Sequence, residues 1–376
     1  MLDCDAFYQA LISSGLSFFA GVPDSLLKDF CAYVTDHAGA GNHIITANEG
    51  NAIGLAAGHY LATGNPGMVY MQNSGLGNAV NPLTSLADPD VFGIPMLLLV
   101  GWRGEPGKED EPQHVKQGKI TLSLLESLEI EYSILPAELD EALTCLNKAL
   151  DSMQKHSAPY GLVIRKGTFE PYKLQTQSVT PYTLAREDAI RMIVDGLGSR
   201  DVIVSTTGKA SRELFEYRSF LKQERRGQDF LVVGSMGHAS QIALGIALAK
   251  PDIQVFCLDG DGALIMHMGA LAVIGTQHPR NLKHIVINNG VHDSVGGQPT
   301  VALDIDVVTI AKSCGYSVAV RAETRDELAS QLDSFRSCQG PALLEIRVKR
   351  GGRSDLGRPT VTPTVIKEDF MAFLSQ

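Results

Sequence analysis

The residues best suited to chemistry stand in two short clusters. The first is Asp259-Gly260-Asp261-Gly262, which follows an apolar run at 254–258. A second apolar run at 283–287 then leads into the amide pair Asn288-Asn289. Glycines let backbone amides come close to a diphosphate at the start of a helix. A diphosphate carries charge that a hard cation must offset. Mg2+ takes oxygen ligands, so carboxylate, amide and carbonyl oxygens suit it. Asp261 and an Asn beyond the next parallel strand can converge, because the ends of neighbouring strands face one crevice. The second cluster is Asn48-Glu49-Gly50-Asn51-Ala52, after the apolar run 43–47. Glu49 is one acid at the head of an otherwise uncharged helical stretch. The helix dipole favours an acid there. Burial would raise the pKa of such a carboxyl.

These clusters need strands to deliver them and helices to cover the strands. Apolar runs at 18–20, 43–47, 68–72, 95–100 and 161–165 predict strands in the first half. Runs at 202–205, 230–233, 253–258, 284–287 and 342–346 predict them in the second. Helical periodicity fills the intervals 24–34, 51–62, 139–153, 186–197, 240–249 and 325–335. Such alternation implies parallel sheets covered on both faces, so the expected class is α/β, with two doubly wound parallel-sheet domains. The polar stretch 166–183 holds Pro171 and Pro181 and shows no apolar period, so it reads as an interdomain link. The expected layout is a first domain over 1–167, a linker over 168–183 and a second domain over 184–376. Thr183 is expected to cap the next helix.

Composition narrows the function further. The 376 residues give room for two cores, and 44% hydrophobic with 20% charged residues is a soluble globular balance. A net charge of −10 offers no basic excess for nucleic acid, though a local basic pocket remains possible. The six cysteines form no CxxC pair, which fits buried free thiols in a reducing compartment. Asp3 and Asp5 stand where a signal peptide would be basic. The longest apolar stretch, 91–100, is too short to span a bilayer. The expectation is a cytoplasmic enzyme with no membrane partner.

Gly260-Asp261-Gly262, then twenty-five residues, then Asn288-Asn289, resembles the GDG…NN signature of thiamine-diphosphate enzymes. The resemblance implies thiamine diphosphate and Mg2+ as cofactors. It implies Asp261 and Asn289 as metal ligands through their side chains and Val291 through its carbonyl. Gly260, Gly262, Ala263 and Asn289 are then expected against the diphosphate. The segment 48–58 resembles the pyrimidine-binding domain of the same enzymes. There the equivalent Glu, here Glu49, hydrogen-bonds the aminopyrimidine ring and starts the proton exchange that activates the cofactor. Gly234-Ser235-Met236-Gly237-His238-Ala239 is similar to a stretch in which a bulky apolar residue props the cofactor into its bent shape. Met236 occupies that position, and Gly234 that of a carbonyl accepting from the 4′-amino group. Met236 also fits plain core packing. Thr206-Thr207-Gly208 resembles a further diphosphate-contact turn, which adds Thr207 and Gly208.

The pyrimidine-type half comes first, the diphosphate-type half second, and the middle domain of larger relatives is missing. This two-domain form resembles the phosphonopyruvate decarboxylase family, with sulfopyruvate decarboxylase a near relative. The likeness lies in Gly21-Val22-Pro23-Asp24-Ser25, Gly101-Trp102-Arg103-Gly104-Glu105-Pro106-Gly107, Asp110-Glu111-Pro112-Gln113-His114 and the stretch 289–298. It implies decarboxylation of a small anionic 2-oxo acid, 3-phosphonopyruvate, to phosphonoacetaldehyde and CO2. Sulfopyruvate as substrate and carboligation of two oxo acids stay open. A nucleotide-binding oxidoreductase or binding module would want GxGxxG after a first strand. The nearest approach, Gly75-Leu76-Gly77, lacks the third glycine. The family builds each cofactor site from two chains, which implies a homodimer or higher homo-oligomer with shared active sites. The substrate's second anion requires hydrogen-bond donors. The stretch 103–119 holds four basic residues matched by Glu105, Glu109, Asp110 and Glu111, whereas in 349–358 only Asp355 opposes the basic residues. At least one of Arg103, Arg353 and Arg358 is expected to contact the anion, with Ser25, His114 and His292 completing the pocket.

Overall fold

The computed structural model describes residues 1–176, 179–221 and 227–376. Residues 177 and 178 of the expected linker lie outside the described residues. Two compact units make up the chain. One is Met1–Ser178 with His292–Gln298, and the other is Val179–Val291 with Pro299–Gln376. Among the described residues no helix is long and apolar enough to cross a membrane. All six cysteines are free thiols; Cys4, Cys31 and Cys257 are buried and the other three half-buried.

The first unit runs α1 (Cys4–Ser13), β1 (Phe19–Gly21), α2 (Lys28–His37), β2 (His43–Ile45), α3 (Glu49–Thr63), β3 (Gly67–Gln72) and α4 (Leu76–Pro82). It continues with β4 (Met96–Gly101), α5 (Pro112–Ser127), β5 (Glu131–Ile134), α6 (Leu139–His156) and β6 (Tyr160–Ile164). The strands form a six-stranded, wholly parallel sheet in the order β2-β1-β3-β4-β6-β5. Phe7, Phe19, Phe30, Tyr70 and Tyr160 fill one face, and Ala52, Ile53, Ala56, Val69, Met96 and Leu98 the other. Small residues let α3 lie close to the sheet: a Cβ on Gly67 would sit 3.1 Å from that of Ala56. Helix α2 begins four residues later than the sequence predicts. Asp24 ends the β1 turn instead, accepting Leu26 N–H on Oδ2 at 2.9 Å, an Asx turn that competes with helix. Residues 168–176 are tied to this unit. Leu2 pairs with Phe169, and Asp36 accepts from Tyr172 Oη and the Gln175 and Thr176 amides.

The second unit runs α7 (Arg186–Asp195), β7 (Val202–Ser205), α8 (Lys209–Phe220), β8 (Asp229–Leu231), α9 (Ala239–Ala249), β9 (Val255–Gly260), α10 (Asp261–Met266) and α11 (Ala270–Gln277). After these come β10 (Leu282–Asn288), α12 (Val307–Ser313), β11 (Val318–Ala322), α13 (Arg325–Ser337), β12 (Ala342–Arg347) and α14 (Pro363–Leu374). Its parallel sheet has the order β11-β12-β10-β9-β7-β8. Counted within the unit, that is the strand order of the first sheet read from the other edge. The expected Thr183 cap is corrected: Ala185 precedes α7 and makes no side-chain cap. Backbone pairing accounts for the exit of the chain there, since Lys349 N–H donates to Leu184 O at 2.9 Å.

In both sheets the chain leaves the first strand to one side and returns on the other, so the third strand lies next to the first. Open α/β sheets part their loops at such a switch point, outside the carboxyl ends of the strands. In the first unit Asp24 and Ser25 follow β1, Glu49 follows β2, Asn73 follows β3 and Arg103 follows β4. The loop after β4 is held tightly against α5. Trp102 Nε1–H donates to Gly118 O at 2.8 Å, and Asn73 Nδ2 donates to Arg103 O and Thr121 Oγ1, each at 2.8 Å. A Cβ on Gly118 would lie 1.6 Å from Gly104 O. Replacing an ordinary helical Gly by Ala stabilises by about 1 kcal/mol. Gly118→Ala is therefore diagnostic. Overpacking against backbone is expected to reverse the sign and destabilise by about 1–3 kcal/mol. The fluorescence of Trp102, the chain's one tryptophan, reports this through the urea midpoint of the first unit. A raised midpoint would contradict the packing of α5 on this loop.

Candidate active site

The first unit places Glu49 at the opening position of α3, where Asn48 caps the helix by accepting Asn51 N–H at 3.0 Å. The Glu49 side chain is buried, and its Oε2 accepts from Asn78 Nδ2 at 2.8 Å. Burial raises its pKa against that hydrogen bond, as the sequence predicts. Gly75 makes room for it, since a Cβ there would lie 2.3 Å from Glu49 Oε1. The pocket around the carboxyl is thus shaped by a glycine and an amide rather than by a cation.

Beside it on the same sheet edge, three of the residues expected around the substrate anion are brought together. Arg103 forms a bidentate pair with Asp110: Nε to Oδ2 at 2.8 Å and Nη2 to Oδ1 at 2.5 Å. Arg103 Nη1 donates to Ser25 Oγ at 2.7 Å, and His114 Nδ1 lies 2.9 Å from Asp110 Oδ1. The backbone N–H groups of Gly104 and Glu111 also donate to Asp110, each at 2.7 Å. Desolvation opposes ionisation of Asp110. The hydrogen bonds from Arg103, His114 and the two amides overcome it and hold the carboxyl well below the usual range. Asp24 lies nearby and is fully buried, with Oδ1 lacking any hydrogen-bond partner. Desolvation raises its pKa despite the Leu26 amide and the Arg103 charge. Sequence reasoning placed Asp110 and Asp24 in stretches of family likeness and counted Asp110 as a charge matching a neighbouring base, but gave neither a role in the site. The signal for Asp110 was its four-residue spacing to His114 across Pro112, which starts α5 and lays both on one turn.

The segment 292–298, which clusters with this unit, is closed by His292 N–H to Gln298 O at 2.8 Å. Desolvation lowers the His292 imidazole to about 4, so it is neutral at pH 7. Gln298 is buried, and its Nε2 reaches Lys28 O at 3.5 Å.

The second unit carries the other half of the expected site, again at carboxyl ends of strands. Thr207 and Gly208 follow β7. Thr207 Oγ1 donates to Val233 O at 2.9 Å, and Gly208 adopts φ +101°, a conformation that favours glycine. Gly234 and Met236 follow β8, both half-buried, in a turn where Ser235 adopts φ +49°. Asp261 opens α10 directly after β9 and is buried. Burial raises its carboxyl to about 6, against hydrogen bonds from Thr300 Oγ1 at 2.6 Å and from the Gly262, Asp261 and Gly290 amides. Asn288 and Asn289 end β10. Asn289 Oδ1 accepts Val291 N–H at 3.1 Å, and Val291 pairs with Pro299. A buried carboxylate with no cationic side chain beside it among the described residues, an amide oxygen and a backbone carbonyl offer only oxygen donors. That chemistry fits Mg2+.

The remaining two basic candidates belong to the second unit. Arg353 is exposed and engages Glu187, Glu216 and Asp355. Arg358 is exposed as well. A buried cluster of Cys257, Asp259 and His284 also lies in the second unit. Its groups are already used: Gly260 N–H donates to Asp259 Oδ1 at 3.0 Å, and His284 lies between Asp259 and Tyr316 Oη, at 3.4 and 3.1 Å. It braces the glycine turn before Asp261.

Comparison with known proteins matches this division. Residues 4–124 match the N-terminal TPP binding domain of thiamine pyrophosphate enzymes, and residues 206–346 match the C-terminal TPP binding domain. The whole chain is 36% identical over 390 residues to a phosphonopyruvate decarboxylase of Streptomyces viridochromogenes, covering 96% of it. It is 33% identical over 391 residues to one of Streptomyces hygroscopicus, covering 95% of that protein. With 91% of its length it also aligns at 29% identity to 90% of a sulfopyruvate decarboxylase of Methanosarcina acetivorans. The chain therefore belongs to the thiamine pyrophosphate enzymes, as a two-domain member of the family that holds the phosphonopyruvate and sulfopyruvate decarboxylases.

Proposed function

We propose that this enzyme is a carboxy-lyase that converts 3-phosphonopyruvate to phosphonoacetaldehyde and CO2, using thiamine diphosphate and Mg2+. One observation carries the substrate reading: Arg103 and Ser25, fastened by Asp110 beside His114, offer donors suited to a tetrahedral anion. Whole-length identity to two phosphonopyruvate decarboxylases supports it. The similarity to a sulfopyruvate decarboxylase favours a sulfonate as the second reading, because both substrates place three anionic or polar oxygens at one end. The departing carboxylate is served by an apolar environment that does not stabilise its charge, while the second anion stays bound.

Bound thiamine diphosphate supplies a nucleophilic carbon for the 2-oxo group and a place for the electron pair left when CO2 departs. Glu49, whose carboxyl burial pushes above its usual range, would hydrogen-bond the aminopyrimidine ring nitrogen and exchange a proton with it. The Gly234 carbonyl would accept from the 4′-amino group, and the Met236 side chain would support the cofactor. Asp261 and Asn289 through side chains, and Val291 through its carbonyl, would hold Mg2+ and so offset the diphosphate charge. The amides around Gly260, Gly262 and Ala263 and the turn Thr207-Gly208 would meet the diphosphate. The two cofactor-binding halves belong to separate compact units. We infer a homodimer or higher homo-oligomer with shared sites. The solvent-facing side of α3 supports it, presenting Gly54, Leu55, Gly58, Leu61 and Ala62 and no charge.

Five outcomes test these roles. Glu49→Gln keeps the shape but not the exchangeable proton. The rate of C2–H exchange on bound cofactor, read by NMR in deuterated buffer, is expected to fall by about 10²- to 10⁴-fold. An unchanged rate removes Glu49 from activation. Asp261→Ala is expected to abolish the Mg2+-dependence of thiamine diphosphate binding in calorimetry, and retention of that dependence would place the metal elsewhere. Turnover of phosphonopyruvate, sulfopyruvate and pyruvate, compared in parallel with and without both cofactors, is expected to favour phosphonopyruvate. Arg103→Ala should then raise KM for phosphonopyruvate by about 10²-fold, the size of a lost charge-assisted hydrogen bond of about 3 kcal/mol. Arg353→Ala should leave that KM within about 2-fold of the parent's, since surface ion pairs contribute little. A large rise for Arg353 and none for Arg103 would reverse the assignment.

A further inference from the structure

The guanidinium of Arg103 has five N–H donors in a fixed fork. Nε–H and one Nη2–H are taken by Asp110, and one Nη1–H by Ser25 Oγ. Among the described residues the other two N–H groups have no protein partner. Ser25 Oγ accepts from Arg103, so its own hydrogen is free to donate. His114 meets Asp110 through Nδ1, which makes that nitrogen the N–H donor and leaves Nε2 open. Asp110 itself accepts from five donors, two of them backbone amides that fix where its carboxylate stands. It is thus saturated and takes no part in binding an anion, yet it sets the direction of every remaining donor on Arg103 and the tautomer of His114.

An arginine alone would not need such a hub. Its side chain carries about 2 kcal/mol of rotamer entropy, which a binding step must otherwise spend on ordering. Asp110 orders it beforehand, at the expense of cancelling its net charge. What the pair then offers is direction rather than bulk attraction. That suits an anion with three oxygens on one tetrahedral centre and not a planar carboxylate, which a free arginine fork binds equally well.

We propose that Asp110 is the positioning residue of the anion subsite, selecting phosphonate-bearing over unsubstituted 2-oxo acids by locking the free N–H groups of Arg103 in one donor geometry. The proposal rests on the reading of Arg103 as the residue that contacts the anion.

The test uses the full chain with thiamine diphosphate and Mg2+, and the substrates phosphonopyruvate and pyruvate. Asp110→Asn keeps one acceptor oxygen, which can serve only one of the Gly104 and Glu111 amides because these meet different carboxylate oxygens, and it sets an N–H against the Arg103 fork. It is expected to lower the phosphonopyruvate-to-pyruvate ratio of kcat/KM by about 10-fold or more, with the loss in KM for phosphonopyruvate and not in kcat. In an Arg103→Ala background the same change is expected to cause no further loss of preference, because the two residues act as one unit. Should Asp110→Asn fail to fold, as judged by its thermal midpoint, Asp110→Glu keeps the charge while moving it off the fork, and the same ratio is read. A merely structural Asp110 would lower kcat/KM for both substrates alike. That result, with Arg103→Ala still losing its preference, overturns the positioning role and leaves the Arg103 reading standing. If Arg103→Ala keeps the parent preference, the reading beneath the proposal fails, and the proposal with it.

Discussion

Parallel strands cannot be joined by tight turns, so each strand of the two sheets returns through a crossover and starts again at the same edge. All carboxyl ends of a sheet therefore gather on one side. At the switch point, between the first and third strands of each unit, the loops part and leave backbone amides and short side chains uncovered. The residues with chemical potential follow from that constraint. Asp24, Ser25, Glu49 and Arg103 lie just past strands of one sheet, and Thr207, Gly208, Met236, Asp261 and Asn289 just past strands of the other. Because the two sheets share one strand order, the difference between the units is carried by loops and not by topology.

Within that frame, carboxylates of one chemical type are driven to opposite states by their donors. Burial alone raises a carboxyl, because the charged form loses water. Glu49 has one amide partner and Asp24 one backbone donor on Oδ2, so desolvation wins in both. Asp110 is less buried and meets a guanidinium, an imidazole and two amides, so the hydrogen bonds win and it stays ionised. Asp261 lies between, raised to about 6 with a hydroxyl and backbone amides but, among the described residues, no cationic side chain. Two raised carboxyls, a fixed anion and an intermediate case are thereby distinguished by partners, not by residue type.

The buried strands were legible in the sequence because each is a short apolar run with both faces covered. Val202–Ser205 was read to the residue, and the first-unit strands to within two. The two strands that escaped, Glu131–Ile134 and Val318–Ala322, are both edge strands. Each carries exposed or half-buried positions and a charge, Glu131 or Arg321, so no apolar run marks it. Helices such as α5 escaped for another reason: Gln113, Lys116, Gln117 and Lys119 dilute the apolar stripe, and Gly118 looks like a breaker. Only the close approach to Gly104 explains that glycine. The glycine, acid and amide motifs were legible because backbone geometry demands particular residue types. The partnership of Asp110 with Arg103 was not. Net charge over 103–119 cannot tell which acid meets which base, and Glu105 in fact pairs with Arg165, far along the chain.

The paired asparagines show where motif reading needs a structure to divide the labour. Successive residues at a strand end face opposite ways, so two adjacent amides cannot share a task. Asn288 is fully buried; its Nδ2 donates to Glu345 Oε1 at 2.8 Å and to Ala302 O at 3.1 Å, and its Oδ1 accepts Gly290 N–H. Glu345, also fully buried, accepts in turn from Arg321 and Arg347. A carboxylate so far from water persists only with such partners, and loss of the Asn288 amide would leave part of it unsatisfied. Asn288 is therefore spent on the scaffold, tying β10 to β12 beneath the turn. Asn289 gives its oxygen to a single amide, that of Val291, and so fixes the turn that leaves the strand. One asparagine ties the strand end to its neighbour and the other orders the turn beyond it, so a change at either would disturb this end of the sheet for a different physical reason.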